Sequence, residues 1–173
     1  MFSLKSQAAK LTNVNPRAEL HGQDKKLAVD LKFEIKVSND VLSEFDASLK
    51  GSLYKKADDG QGDLIADPGY LPTLKFPLMG AVKWGKSFDG YETVIHYGVS
   101  GAQDIHLVEC AVDNFRFDCQ DGGTVVVSFR VIAHPEAAEL GRLCEMIQQE
   151  VEMSLIEPQA EPETVQQLFG EAS

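Results

Sequence analysis

Few residues in this chain have types and spacings that could do chemistry. Asp104 and His106 stand two apart, on one face if the segment is a strand, and His96 could approach from a neighbouring strand to complete a three-ligand metal site. Such pairs arise often by chance, and exposed polar strand positions account for them more simply. No phosphate loop, nucleophile elbow or paired-carboxylate signature occurs, and Gly85 to Gly90 is too short and lacks a nucleotide fingerprint. The expectation is a non-enzymatic chain with no catalytic residue, no metal and no cofactor. Cys110, Cys119 and Cys144 have no metal-type spacing and fall at apolar positions, so they read as reduced core thiols.

Binding chemistry is better represented. The net charge of −11 is uneven: residues 1–86 carry 13 Lys and Arg against 11 Asp and Glu, and residues 87–173 carry 3 against 16. Single-strand recognition needs a basic groove and aromatic platforms on which bases stack. The first half supplies Lys32, Lys36, Lys75, Lys83 and Lys86, with Phe76, Trp84, Tyr91 and Tyr97 in neighbouring segments. Trp84, between Lys83 and Lys86, is the best candidate for an exposed ring. Lys75, Lys83, Trp84 and Lys86 are therefore the expected nucleic-acid contacts. Near the other end, Val165, Leu168 and Phe169 form an apolar island in an acidic stretch, the expected contact for a protein partner or for autoinhibition.

The elements that must position these residues are read from periodicity. Leu27, Val29, Leu31, Phe33, Ile35 and Val37 alternate with polar residues and predict a strand, followed by a helix capped by Ser38 or Asn39 and carrying Val41, Leu42, Phe45, Leu49 and Leu53. Residues 57–72 turn to Asp, Gly and Pro and predict a mobile loop. Short strands at Thr73–Phe76 and Gly80–Trp84 precede a longer one at Tyr91–Val99. The longest strand switches parity twice: Ile105 and Leu107, then Val108, Cys110 and Val112, then Phe115 and Phe117, and each switch requires a bulge or bend.

The turn Asp121-Gly122-Gly123 sets the register of the next strand. A two-residue loop would put the apolar sets of the two strands on opposite faces. A three-residue loop pairs Cys119 with Val125, Phe117 with Val127 and Phe115 with Phe129, and places Asn114 opposite Arg130, with Gly123 in a left-handed bulge conformation. His134-Pro135-Glu136 starts a helix whose apolar stripe is Leu140, Leu143, Cys144, Ile147 and Val151, ending before Pro158.

The expected architecture is α+β: a curved, mostly antiparallel sheet with two packed helices. An N-terminal arm over residues 1–24 precedes a single domain over 25–156, and 157–173 form a disordered acidic tail. With no apolar run near the roughly 20 residues of a membrane span, a soluble chain without membrane contact is expected. A homo-oligomer is among the assemblies the sequence allows.

Leu11-Thr12-Asn13-Val14-Asn15-Pro16-Arg17-Ala18-Glu19-Leu20-His21-Gly22, Val37-Ser38-Asn39-Asp40-Val41-Leu42 and Phe115–Val125 resemble a family of small proteins of bacteriophages and prophages. The resemblance implies a setting in the cytoplasm of a bacterial host and carries no site residue. Leu168-Phe169 also resembles the end of a bacterial sliding-clamp peptide, with Val165 where that pattern has glutamine. The leading expectation is thus a phage accessory protein of replication or recombination that binds single-stranded DNA. Its alternatives are an acidic, nucleic-acid-mimicking inhibitor of a host nuclease or defence complex, its partner then being a basic bacterial or phage protein, and a structural or assembly protein.

Overall fold

Nine strands and three short helices make up residues 1–58 and 67–160, the part that the computed structural model describes. In chain order they are β1 (Leu4–His21), β2 (Asp24–Ser38), α1 (Leu42–Phe45), α2 (Leu49–Leu53), β3 (Tyr54–Lys55), β4 (Thr73–Leu74), β5 (Val82–Trp84), β6 (Phe88–His96), β7 (Ile105–Gln120), β8 (Thr124–Ala133), α3 (Ala137–Glu145) and β9 (Glu150–Ile156). Neighbouring strands run β7-β6-β9-β1-β2-β8, and β8 pairs back onto β7, so the expected curved sheet closes into a six-stranded antiparallel barrel. Closure pairs every strand of the ring with a neighbour on each side over part of its length. β5 pairs with the far end of β7, beyond the stretch that pairs with β6, and β3 with β4 forms a separate ribbon.

The alternating apolar residues of β2, β7 and β8 point inward as their period demands. Leu31, Phe33, Ile35, Phe117, Val125, Val127 and Val131 are all buried. The turn between β7 and β8 has the expected three residues: Gln120 faces Thr124, Cys119 faces Val125 and Phe117 faces Val127. Gly123 sits at φ 82°, the left-handed region that a Cβ disfavours, and its carbonyl accepts the Asn39 N–H at 2.8 Å.

The parity switches of β7 coincide with Glu109 at φ 52° and Asn114 at φ 57°. At each, one extra residue returns the apolar face to the core. The second bulge moves Asp113, not Asn114, opposite Arg130. The first leaves Val108 outside and 63% exposed, where the sequence pattern put it with Cys110.

Three segments differ from expectation. The N-terminal arm is β1, which pairs with both β2 and β9. Bulges between Leu4 and Gln7 and between Leu11 and Asn13 break its alternation, so Ala9, Leu11 and Val14 are buried without forming one period-two run. Pro16 is tolerated because β9 reaches only to Lys10; beyond it one side of β1 bonds to no other strand among the described residues.

The helix expected after β2 is broken into a 3₁₀ turn at Asn39–Val41 capped by Ser38, then α1 and α2. The C-terminal helix stops at Glu145 after a capping box between Glu136 and Glu139. Gln148 at φ 65° ends the turn, and Val151, Met153 and Leu155 enter the core from β9 instead of from a helix face. The barrel needs a strand between β6 and β1, and that need overrides the helical spacing of Leu143, Ile147 and Val151. Of the cysteines, Cys110 is buried and Cys119 half-buried, but Cys144 lies on the exposed side of α3 rather than in the core.

The loop expected at 57–72 lies partly, and the acidic tail with Val165, Leu168 and Phe169 mostly, outside the described residues. No helix among the described residues is long and apolar enough to cross a membrane.

Candidate functional site

β5 is short, but its alternation is clear. Val82 and Trp84 turn toward the core while Lys83 points out, and β5 pairs through Val82 with Phe117, Lys83 with Arg116 and Trp84 with Phe115. An aromatic cluster holds this end in place. Phe45 lies 4.9 Å from Phe115 and 4.7 Å from Phe117 between ring centroids, both edge-on, the geometry in which a positive ring edge meets a negative face. Trp84 joins the cluster at 6.1 Å from Phe45 and 6.4 Å from Phe117.

Trp84 is therefore not the exposed stacking ring that its flanking lysines suggested. It is half-buried, and its Nε1 is enclosed without a hydrogen-bond partner among the described residues. The exposed ring of this region is Phe76, 53% exposed, in a turn closed by the Met79 N–H on the Phe76 carbonyl. Phe76, Met79 and Gly80 line one dent with Val82 of β5 and Cys119 of β7, which sets the turn beside the β5 edge.

The expected basic contacts fare differently. Lys83 faces Arg116 across the ladder, two like charges on directly opposed positions, and neither is in an ion pair among the described residues. Lys86 Nζ stands 5.2 Å from the centre of the Phe88 ring, a cation–π contact. Lys75 donates to the Gly51 carbonyl and so braces the Phe76 turn against α2. The structure thus keeps Lys83, adds Arg116 and Phe76, and removes Trp84 from the set of surface groups. Nothing in the local sequence marks Arg116; only the β5–β7 pairing puts it beside Lys83.

Around the turn between β6 and β7, His96, Asp104 and His106 do not converge on one point. Asp104 Oδ2 meets His96 Nδ1 at 2.9 Å, and His106 Nδ1 meets Glu92 Oε1 at 3.0 Å. No group of three or more His, Cys, Asp or Glu side chains among the described residues could hold a metal ion. His96 instead finds a partner that sequence reading missed: its Nε2 lies 2.9 Å from Ser154 Oγ. Ser154 was hidden because the helical reading of 136–156 obscured the alternation of Val151, Met153 and Leu155 that places it on the outer face of β9. The Tyr97 N–H and His96 hold the Asp104 carboxyl below its ordinary range.

A third polar feature crosses β7, β8, β2 and β1. Arg130 forks onto Asp113 at 2.8 and 2.7 Å and reaches Asp30, which pairs with Arg17, which pairs with Glu19. Glu19 also meets His134 at 2.9 Å, and that hydrogen bond, with Arg17, holds its carboxyl down at about 2. Every cation in this belt has its carboxylate, so it reads as a structural clasp. The Lys83–Arg116 pair is its converse.

No protein-family model, curated protein or solved structure matches the chain.

Proposed function

We propose that the protein binds single-stranded DNA across the β5 edge, with Lys83 and Arg116 meeting phosphates and Phe76 stacking on a base. The observation that carries this reading is the opposed cation pair. Like charges directly across an antiparallel ladder oppose folding, and an anionic polymer would neutralise both at once. Phe76 supplies the sequence-tolerant aromatic face that single-strand binding needs. Lys86 and Lys75 flank the same turn and edge in sequence. The resemblance to phage-encoded proteins fits replication or recombination intermediates as the source of the strand. The acidic stretch 157–173, with four glutamates and no basic residue, would compete with DNA for these cations.

The alternative of an acidic inhibitor gains no comparable support. That reading needs one continuous acidic surface, and the glutamates of residues 136–152 are divided between α3 with its N-cap and β9.

Fluorescence-anisotropy titration of a labelled oligothymidine at low salt tests the proposal. The full chain should bind, a chain ending at Glu157 should bind more tightly, and affinity should fall with salt at a log–log slope of about −0.7 per neutralised phosphate. Absence of binding at low salt, or equal affinity in a Lys83→Glu/Arg116→Glu double variant, would overturn it.

A further inference from the structure

We propose that Ser154, His96 and Asp104 form a serine-nucleophile site that cleaves small carboxylic esters, a function separate from the β5 edge and sharing no residue with it. The three groups stand in the order that such chemistry requires. Asp104 accepts from His96 Nδ1–H at 2.9 Å, and His96 Nε2 accepts from Ser154 Oγ–H at 2.9 Å. This constellation is recognised by geometry and roles rather than by sequence position. Asp104 is itself fixed, because its second oxygen accepts the Tyr97 N–H at 2.9 Å. It thereby selects the tautomer that leaves Nε2 free to take a proton.

Three elements bring the groups together. Ser154 on β9 faces Val94 of β6, and His96 lies two residues further on β6, so both side chains share the outer face of the barrel. The turn between β6 and β7, with Gly98 and Gly101 at φ 78° and 69°, folds Asp104 back over His96. On the other flank, the β1 ladder skips from Leu4 opposite Leu155 to Gln7 opposite Met153, so Lys5 and Ser6 together oppose Ser154. Ser6 is held at φ 44° in this bulge, and its N–H, released from the ladder, lies 3.0 Å from Ser154 Oγ. That N–H donates to Oγ itself and so holds the hydroxyl oxygen in place beside His96.

An open groove of about 560 Å³ has the largely buried Ser154 in its lining, with Leu4, Lys5, Ser6, Ile156 and Glu157. Leu4 and Ile156 give it an apolar wall, and its open side leaves room for the alcohol portion to extend into solvent. A short acyl chain fits that description.

The step balances without any further reagent. Oγ bonds to the ester carbonyl carbon as its proton passes to His96 Nε2, and the tetrahedral adduct collapses as Nε2–H protonates the departing alcohol. Water then gives a proton to Nε2 and its oxygen to the acyl carbon. The acid departs, and Ser154 recovers its proton from His96. Ser154 and His96 are the catalytic residues, and Asp104 is a positioning residue.

The experiment uses the full chain with p-nitrophenyl butyrate as substrate and a fluorophosphonate probe as a covalent label read by mass spectrometry. Stoichiometric labelling confined to Ser154 is expected, with kcat/KM falling at least about a hundredfold in both Ser154→Ala and His96→Gln. For Asp104→Asn, the ¹⁵N spectrum of His96 should show the proton moving from Nδ1 to Nε2, a change that loss of packing alone does not produce. Labelling at another residue, no labelling of the wild-type chain, or hydrolysis unchanged in a folded Ser154→Ala protein would overturn the proposal. Because labelling is read on the wild-type chain, a variant that fails to fold leaves the proposal testable.

Discussion

The β5 edge draws its groups from packing, and the Ser154 groove draws its groups from hydrogen bonds. At the edge, Lys83 is fixed because Trp84 beside it packs on Phe45 and Phe117 and Val82 pairs with Phe117 across the ladder. Its charge has no carboxylate partner among the described residues. Beside the groove, Ser6, His96, Asp104 and Ser154 come from β1, β6, the following turn and β9, and the Ser6 N–H, Ser154 Oγ, both His96 nitrogens and Asp104 Oδ2 are joined by contacts of 3.0 Å or less. An apolar scaffold with bare charges suits a ligand that brings its own counter-charge. A polar relay with an open groove beside it suits a ligand that must be positioned for proton transfer.

The largest change should come from removing the packing that supports the edge. Phe117, fully buried, contacts both Phe45 and Trp84. Phe117→Ala is expected to destabilise the fold by about 3–5 kcal/mol, measured by urea denaturation. If β5 docks through this cluster, DNA affinity should fall in conditions where the variant is still folded, while fluorophosphonate labelling of Ser154 persists. Loss of both together would mean that the two regions are not separable.

Gly123→Ala follows, at about 1–2 kcal/mol, since alanine must adopt φ 82° in a turn whose carbonyl also holds Asn39. This variant acts on the hairpin that both regions rest on. Thermal melting should therefore shift while neither the anisotropy titration nor the labelling changes at 25 °C.

Acid should reveal the belt that joins the back of the barrel. Glu19 is held at about 2 from an ordinary 4.5, chiefly by His134 and Arg17. A depressed carboxylate contributes stability above the unfolded value and loses it as pH falls through the folded one. Stability should thus decline between about 4.5 and 2, and Glu19→Gln should flatten that limb when denaturation midpoints are compared across pH. An unchanged acid limb would show that the clasp does not hold in solution.

The smallest effect in stability is the most informative in sign. Lys83→Glu converts the opposed like pair with Arg116 into an opposite pair, worth about 0.2–1 kcal/mol in favour of folding. The melting temperature should rise slightly as oligothymidine affinity falls. A rise in both would remove the edge from the binding surface.

Reading the chain alone went far where one period ran unbroken. β2 and the β7–β8 hairpin, including its three-residue loop, followed from alternation plus the rule that a register slip turns an apolar set out to water. Even the bulges of β7 were legible, since a parity switch has no other economical explanation. The site was less legible: Lys83 kept its expected exposure, Trp84 did not, Phe76 is exposed in a turn, and Arg116 and Ser154 took their places only through pairing with distant strands.

What the sequence determined by itself is therefore local: which segments are strands of a half-buried sheet, where the turns must be glycine, and where charge of each sign accumulates. The tertiary structure decided whether the sheet stays open or closes. Closure recruited residues 4–21 and 150–156, segments whose bulged or helix-like patterns favoured no strand on their own. Backbone groups left without partners at a sheet edge stabilise almost any segment that can satisfy them. That demand arises only once the other strands are in place, and it is the same demand that carries Ser154 to His96.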